Sequence, residues 1–197
     1  MSVRILAPLA VLCGILGGAS TGAEPLAFHL SDARGGVHTE AEVRSAKATV
    51  LFFLGTECPL SNRYIPEINR ISREYSAKGF VFFAVNADPS ESAEVIRAHD
   101  EAYALEIPTL RDPEHVLVRQ AGAIVTPEVA VVTSDGGVRY VGRIDDRAVD
   151  FGKVRLTPKR ADLRLALEEL LGGKPVSLPV ARSIGCAIPG VNLGVKP

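Results

Sequence analysis

A mixed β-sheet with helices on both faces is the fold class that this 197-residue sequence predicts, and three observations predict it. Two apolar runs, Thr49 to Leu54 and Phe80 to Val85, are continuous rather than alternating, which is how strands buried on both faces read. Between them, Tyr64, Ile65, Ile68, Ile71 and Tyr75 recur at helical spacing from Asn62 to Lys78, and Gly79 stops the helix. Two parallel strands joined by a helix form a right-handed βαβ unit. Further on, Glu128 to Thr133 and Val138 to Arg143 flank Ser134-Asp135-Gly136-Gly137, turn chemistry that predicts an antiparallel hairpin. Parallel and antiparallel pairs in one chain make the sheet mixed.

The remaining elements follow in order. Residues 1–23 read as a secretory signal: Arg4 is the positive end, Ile5 to Gly18 the short apolar stretch, and Thr21-Gly22-Ala23 the small residues at a cleavage point. Pro8, Gly14, Gly17 and Gly18 interrupt that stretch, which is too short to span a bilayer. Leu12 precedes Cys13 where a lipoprotein signal needs a small residue, so cleavage rather than lipidation is expected. A single domain should occupy 24–173, opening with a short strand at Ala27 to Leu30 and a turn at Arg34-Gly35-Gly36. Pro89 and Ser90 open a helix over Glu91 to Tyr103, and Asp112-Pro113 opens another that ends at Ala121. The last helix runs from about Arg160 to Leu171, with Leu163, Leu167, Leu170 and Leu171 as its apolar stripe and Gly172-Gly173 as its stop. Residues 174–197 lose periodicity and carry four prolines, so they read as an extended tail.

Composition narrows the function. The formal net charge is −1 and no basic run appears, which argues against a nucleic-acid partner. No membrane span is expected after signal cleavage, so the protein should be exported to a periplasmic or extracellular space where disulfides persist. Of three cysteines, Cys13 would leave with the signal, and Cys58 and Cys186 would remain, enough for one bridge.

Cys58 sits in Gly55-Thr56-Glu57-Cys58-Pro59-Leu60-Ser61, between a buried strand and a helix start. An ordinary thiol titrates near pH 8.5, and the unpaired N–H groups of a helix N-terminus favour its thiolate. Pro59 suits the first helical turn, where its missing N–H would have had no partner. Pro66 removes one helical hydrogen bond and predicts a kink. Together with Ala84-Val85-Asn86 and Val125-Thr126-Pro127-Glu128, these segments resemble the thioredoxin-like redoxins. The nearest branches are the exported thiol-disulfide oxidoreductases of cytochrome c maturation and the peroxiredoxin-like proteins related to alkyl hydroperoxide reductase and thiol-specific antioxidant. The resemblance runs from about Phe28 to Leu171. It implies a thioredoxin-like fold, a cis Pro127 facing the reactive sulfur, and a Thr126 backbone presented to an incoming peptide or mixed disulfide.

Departures from the family pattern bear on the reaction. The second place of a Cys-x-x-Cys pair is Ser61, expected either to bond the Cys58 thiolate or to cap helix N–H groups. The Pro and Thr that precede a peroxidatic cysteine are replaced by Leu51 and Gly55. Cys186, in Ile184-Gly185-Cys186-Ala187-Ile188-Pro189, is the candidate resolving thiol, with a purely structural bridge as the other reading. The leading expectation is an enzyme of thiol-disulfide exchange, acting on protein or small-molecule thiols and disulfides, with no bound cofactor and with a redox partner protein for turnover. Peroxide reduction at Cys58 and client binding without turnover are the alternatives. No metal site is expected, because His29, His38, His99 and His115 lack ligand spacing. Arg143-Ile144-Asp145-Asp146-Arg147 reads as a solvated ion-pair network.

Overall fold

The computed structural model describes residues 26–150 and 152–191. The expected signal segment, with Cys13, lies outside the described residues. The chain opens with β1 (His29–Ser31) paired antiparallel to β2 (Val37–Thr39), then α1 (Glu40–Ser45) and β3 (Ala48–Phe53). There follow α2 (Pro59–Ser76), β4 (Phe80–Asn86), α3 (Ala93–Ala102), β5 (Thr109–Arg111) and α4 (Val116–Ala121). After β6 (Val125–Thr126) come β7 (Glu128–Thr133), β8 (Val138–Gly142), a small hairpin of β9 (Ala148–Asp150) and β10 (Lys153–Val154), and α5 (Asp162–Leu171). The tail adds β11 (Val180–Ala181) and β12 (Cys186–Ala187).

Six strands form the central sheet in the order β11-β8-β7-β3-β4-β5. The pairs of β3 with β4 and β4 with β5 are parallel, whereas β7 runs antiparallel to both β3 and β8. Every residue of β3 is buried, so alternation inside the strand divides the core rather than separating core from solvent. Ala48, Val50 and Phe52 pack with α2 and α5 on one face. Leu51 and Phe53 pack with α1 and α4 on the other. The sheet is mixed and covered on both sides.

Burial decides the course of α2. Pro66 lies inside the helix, at a cost of about 3 kcal/mol, yet α2 continues unbroken to Ser76. Tyr64, Ile65, Ile68, Ile71 and Tyr75 are all buried on one stripe, and each contributes roughly 1.5–3 kcal/mol, which outweighs that penalty.

Several boundaries differ from the expected ones. Helix α2 begins at Pro59, as a first-turn proline predicts, and ends at Ser76, two residues before Lys78. Helix α4 begins at Val116, three residues beyond the Asp112-Pro113 opening, with Asp112 as the acceptor for its first turn. The Asp112 carboxylate takes the backbone N–H groups of Val116 (2.6 Å), Leu117 (2.8 Å) and Val118 (3.0 Å). Helix α1 and strand β5 were not anticipated. The tail is docked throughout its described length: β11 pairs parallel with β8, and Val176 and Leu178 lie against the α2/α5 core. Ile188 is buried in the opposite core. The tail therefore crosses from one face of the sheet to the other. Between these two anchors it passes Cys58.

Candidate functional site

Cys58 is the N-cap of α2, at φ −87° and ψ 109°, and its own side chain caps no helix N–H. Its thiol donates to the Thr126 carbonyl oxygen at 3.2 Å. The Thr126–Pro127 peptide is cis, as expected, so the turn before β7 brings that carbonyl to the sulfur. Ser61, fully buried at the third helical position, accepts the Gly55 N–H at 3.4 Å. Its hydroxyl proton is then free to face the sulfur. Burial pushes the Cys58 thiol up, but the Ser61 hydroxyl, the Cys186 thiol, the Ser61 N–H and the Thr126 hydroxyl outweigh it and lower the value to about 7.

Cys186 reaches this place because β12 lies antiparallel on β6, with Cys186 opposite Thr126 and Ala187 opposite Val125. The Ile188 N–H donates to the Ile124 carbonyl at 3.2 Å and extends the ribbon. Gly185 makes the approach sterically possible: a Cβ there would stand 2.1 Å from the Thr126 carbonyl oxygen. Both cysteines are free thiols, and both line the same cavity. Burial and the bond to Cys58 raise Cys186 to about 11. Cys186 therefore keeps its proton and donates it. Covered by the tail, Cys58 is only 3 % exposed.

The Redoxin family matches residues 21–154, more than half of the chain. The chain belongs to the Redoxin family. No curated protein matches it. Among solved structures, it is similar to a hypothetical protein from Sinorhizobium meliloti, at 29 % identity and a TM-score of 0.72, covering 82 % of this chain and 90 % of that one. It is also similar to a secreted disulfide oxidoreductase from Mycobacterium tuberculosis, at 17 % identity and a TM-score of 0.50 over 75 % and 93 % of the two chains. An exposed lipoprotein thioredoxin from Streptococcus pneumoniae gives 18 % identity and a TM-score of 0.56 over 73 % and 98 %. The fold is thioredoxin-like.

In this redoxin, Cys58, Pro59, Ser61, Thr126, Pro127 and Cys186 gather at one end of the sheet, around the start of α2. Cys58, Thr126 and Cys186 line a cavity of about 150 Å³ together with Gly55, Glu91 and Ile188. Sequence reasoning missed Glu91. It accepts a hydrogen bond from the Thr56 hydroxyl and another from the Asn86 amide, and so ties the Gly55-Thr56 turn to the end of β4. A second tie runs through Asn62, which donates to the Thr56 carbonyl at 3.1 Å and is bonded to His99 at 2.8 Å. The polar residues just after β4 were the available signal for the first tie; nothing in the spacing marked the second. Among the described residues no group of three metal-binding side chains comes together, and no helix is long and apolar enough to cross a membrane.

The Arg143 to Arg147 segment differs from its expected solvated form. Asp145 is 3 % exposed and Asp146 9 %. Their oxygens are taken up by Tyr64, by Arg147 and Arg155, and by the backbone N–H groups of Arg147, Lys159 and Arg160, which close the loop between β8 and α5.

Proposed function

We propose that the protein is an exported thiol-disulfide oxidoreductase in which Cys58 attacks and Cys186 resolves. The placement of Cys186 opposite Thr126, on whose carbonyl the Cys58 thiol rests, with both sulfurs facing one cavity, carries this reading. With Cys58 at about 7 and Cys186 at about 11, neutral pH provides a thiolate at the first residue and a thiol at the second. Thr126 and Pro127 shape the groove, and Pro59 and Ser61 support the thiolate.

In the first step the Cys58 thiolate attacks a substrate disulfide; a Cys58–substrate bond forms, and the other substrate sulfur leaves as a thiolate that takes up a proton. In the second step Cys186 gives up its proton and attacks the Cys58 sulfur. A Cys58–Cys186 disulfide forms and the second substrate thiol leaves. A dithiol partner protein then reduces the pair, and the reverse sequence oxidises a substrate. Because β12 occupies the edge of β6 beside the sulfur, a protein disulfide gains access only when the tail lifts. Export is supported by the pattern of residues 1–23 and by the secreted and surface-exposed relatives of the same fold. The proposed domain is 24–173, with 174–197 as the tail that brings the second thiol.

Peroxide reduction is a second reading, favoured by the small size of the cavity beside Cys58, about 150 Å³ with the tail closed. The Cys58 thiolate would take one oxygen from a hydroperoxide and release an alcohol; Cys186 would condense with the sulfenic acid, giving a disulfide and water. Assays of insulin disulfide reduction and of hydroperoxide consumption, each with dithiothreitol, separate the two. The main reading expects disulfide reduction in the wild type and its loss in Cys58→Ser. Hydroperoxide consumption alone would favour the second reading, and client binding that survives Cys58→Ser without either activity would reject both.

A further inference from the structure

Arginines crowd the side of the molecule where the β8–α5 loop meets the second turn of α2. Asp145 and Asp146 hold two of them in place. The Arg147 Nε donates to Asp145 at 2.7 Å, and its guanidinium lies 4.8 Å from the centre of the Tyr64 ring. The Arg155 Nη1 donates to Asp146 at 2.9 Å. These bonds fix each guanidinium by one edge and leave other N–H groups unused.

A cavity of about 440 Å³ is bounded by Arg63, Tyr64, Arg147, Val154, Arg155 and Leu156. Three arginines line it and, among the described residues, no carboxylate does. Arg63 makes no ion pair among the described residues, and the Nη2 of Arg147 is buried without an acceptor. Like charges around one space are unfavourable, and a single anion taking N–H groups that Asp145 and Asp146 leave unused relieves them. The adjoining cavity of about 620 Å³ shares Arg155 and adds Arg143 and Arg182, but Asp146 and Asp150 also line it. Its walls therefore carry carboxylates of their own. Val154 and a fully exposed Leu156 complete the smaller cavity and give it an apolar side.

We propose that this cavity binds a small amphiphilic anion, a carboxylate or phosphate monoester with a short hydrocarbon part. The anionic head takes the free N–H groups of Arg63 and Arg147, and the hydrocarbon lies along Val154 and Leu156. The site is separate from the cavity at Cys58, and binding there does not depend on the thiol chemistry.

Calorimetric titration of the full chain with octanoate, octyl phosphate and inorganic phosphate tests it. At least one octyl compound should bind saturably, one per chain, more weakly as salt rises, and inorganic phosphate about ten-fold more weakly or worse. Arg63→Gln should weaken binding about ten-fold, the worth of a charge-assisted bond. That variant is decisive because Arg63 has no ion pair to lose among the described residues, and an unchanged melting temperature confirms an intact fold. Leu156→Ser should weaken the octyl compounds and leave inorganic phosphate unaffected. Co-sedimentation with phosphatidylglycerol vesicles, on top of octyl phosphate binding, would assign the anion to a lipid; its absence would assign it to a soluble molecule. Failure of both octyl compounds to bind, equal affinity in Arg63→Gln, or inorganic phosphate binding as tightly as octyl phosphate would overturn the proposal.

Discussion

A thiol as buried as Cys58 would ordinarily titrate above the free value, because burial disfavours the thiolate. It is held at about 7 by hydrogen bonds, of which the one from Ser61 is the largest. Ser61→Ala should therefore move the pH midpoint of Cys58 alkylation upward, toward the ordinary value near 8.5, and slow labelling at pH 7; an unchanged midpoint would remove Ser61 from the site. The same shift has a consequence for stability. The folded value of Cys58 lies below its reference of 9.0, so the stability that its thiolate provides is present above pH 9 and is lost as pH falls through about 7. Cys186 has the opposite sign. Its contribution is present below pH 9 and is lost as pH rises through about 11. Urea unfolding of the reduced protein across pH 6 to 9, with Cys58→Ser as reference, should show the Cys58 contribution grow with pH.

Among the elements, the two-residue strands β6 and β12 matter most to the site, and the steric fit of Gly185 keeps them together. Gly185→Ala places a methyl group against the Thr126 carbonyl and should cost about 1–3 kcal/mol if the ribbon holds. The cheaper outcome is release of the tail. Cys58 should then react several-fold faster with a bulky thiol reagent, and labelling no faster than in the wild type would contradict the role given to β12. Helix α4 provides a second test: Asp112→Ala removes the acceptor for three backbone N–H groups and should lower stability by about 2 kcal/mol in urea unfolding. Elements with a strong period were legible in the sequence, β3, α2 and β4 above all, since their buried stripes are set by their own residues. Helix α1 announced itself only through Thr39 and Glu42, a capping box in front of a six-residue helix with a single buried side chain, Val43. Strand β5 is three residues long and has no period to read. The ribbon of β6 and β12 lies beyond local signals altogether, because contacts 60 residues apart in sequence decide it.

At the scale of the whole molecule, the tail ties the two faces of the sheet together and carries the second thiol across the first. Cys58 and its helix start were evident from Cys58-Pro59 and the preceding apolar run; that Cys186 would arrive beside it followed from cysteine count, not from any property of residues 174–185. A bridge between them would close a loop of about 130 residues and, in the chain-entropy picture, add roughly 4–5 kcal/mol. The oxidised protein should melt about 10 °C or more above the reduced one, and Cys186→Ser should abolish the difference. The most direct test of the Cys58–Cys186 couple is peptide mapping by mass spectrometry after equilibration in a graded dithiothreitol redox buffer. The account predicts a monomer in which the Cys58 and Cys186 peptides become linked and separate again together, with one midpoint potential. Two unlinked thiols at the oxidising end of the series, or a bridge formed only between two chains, would contradict it.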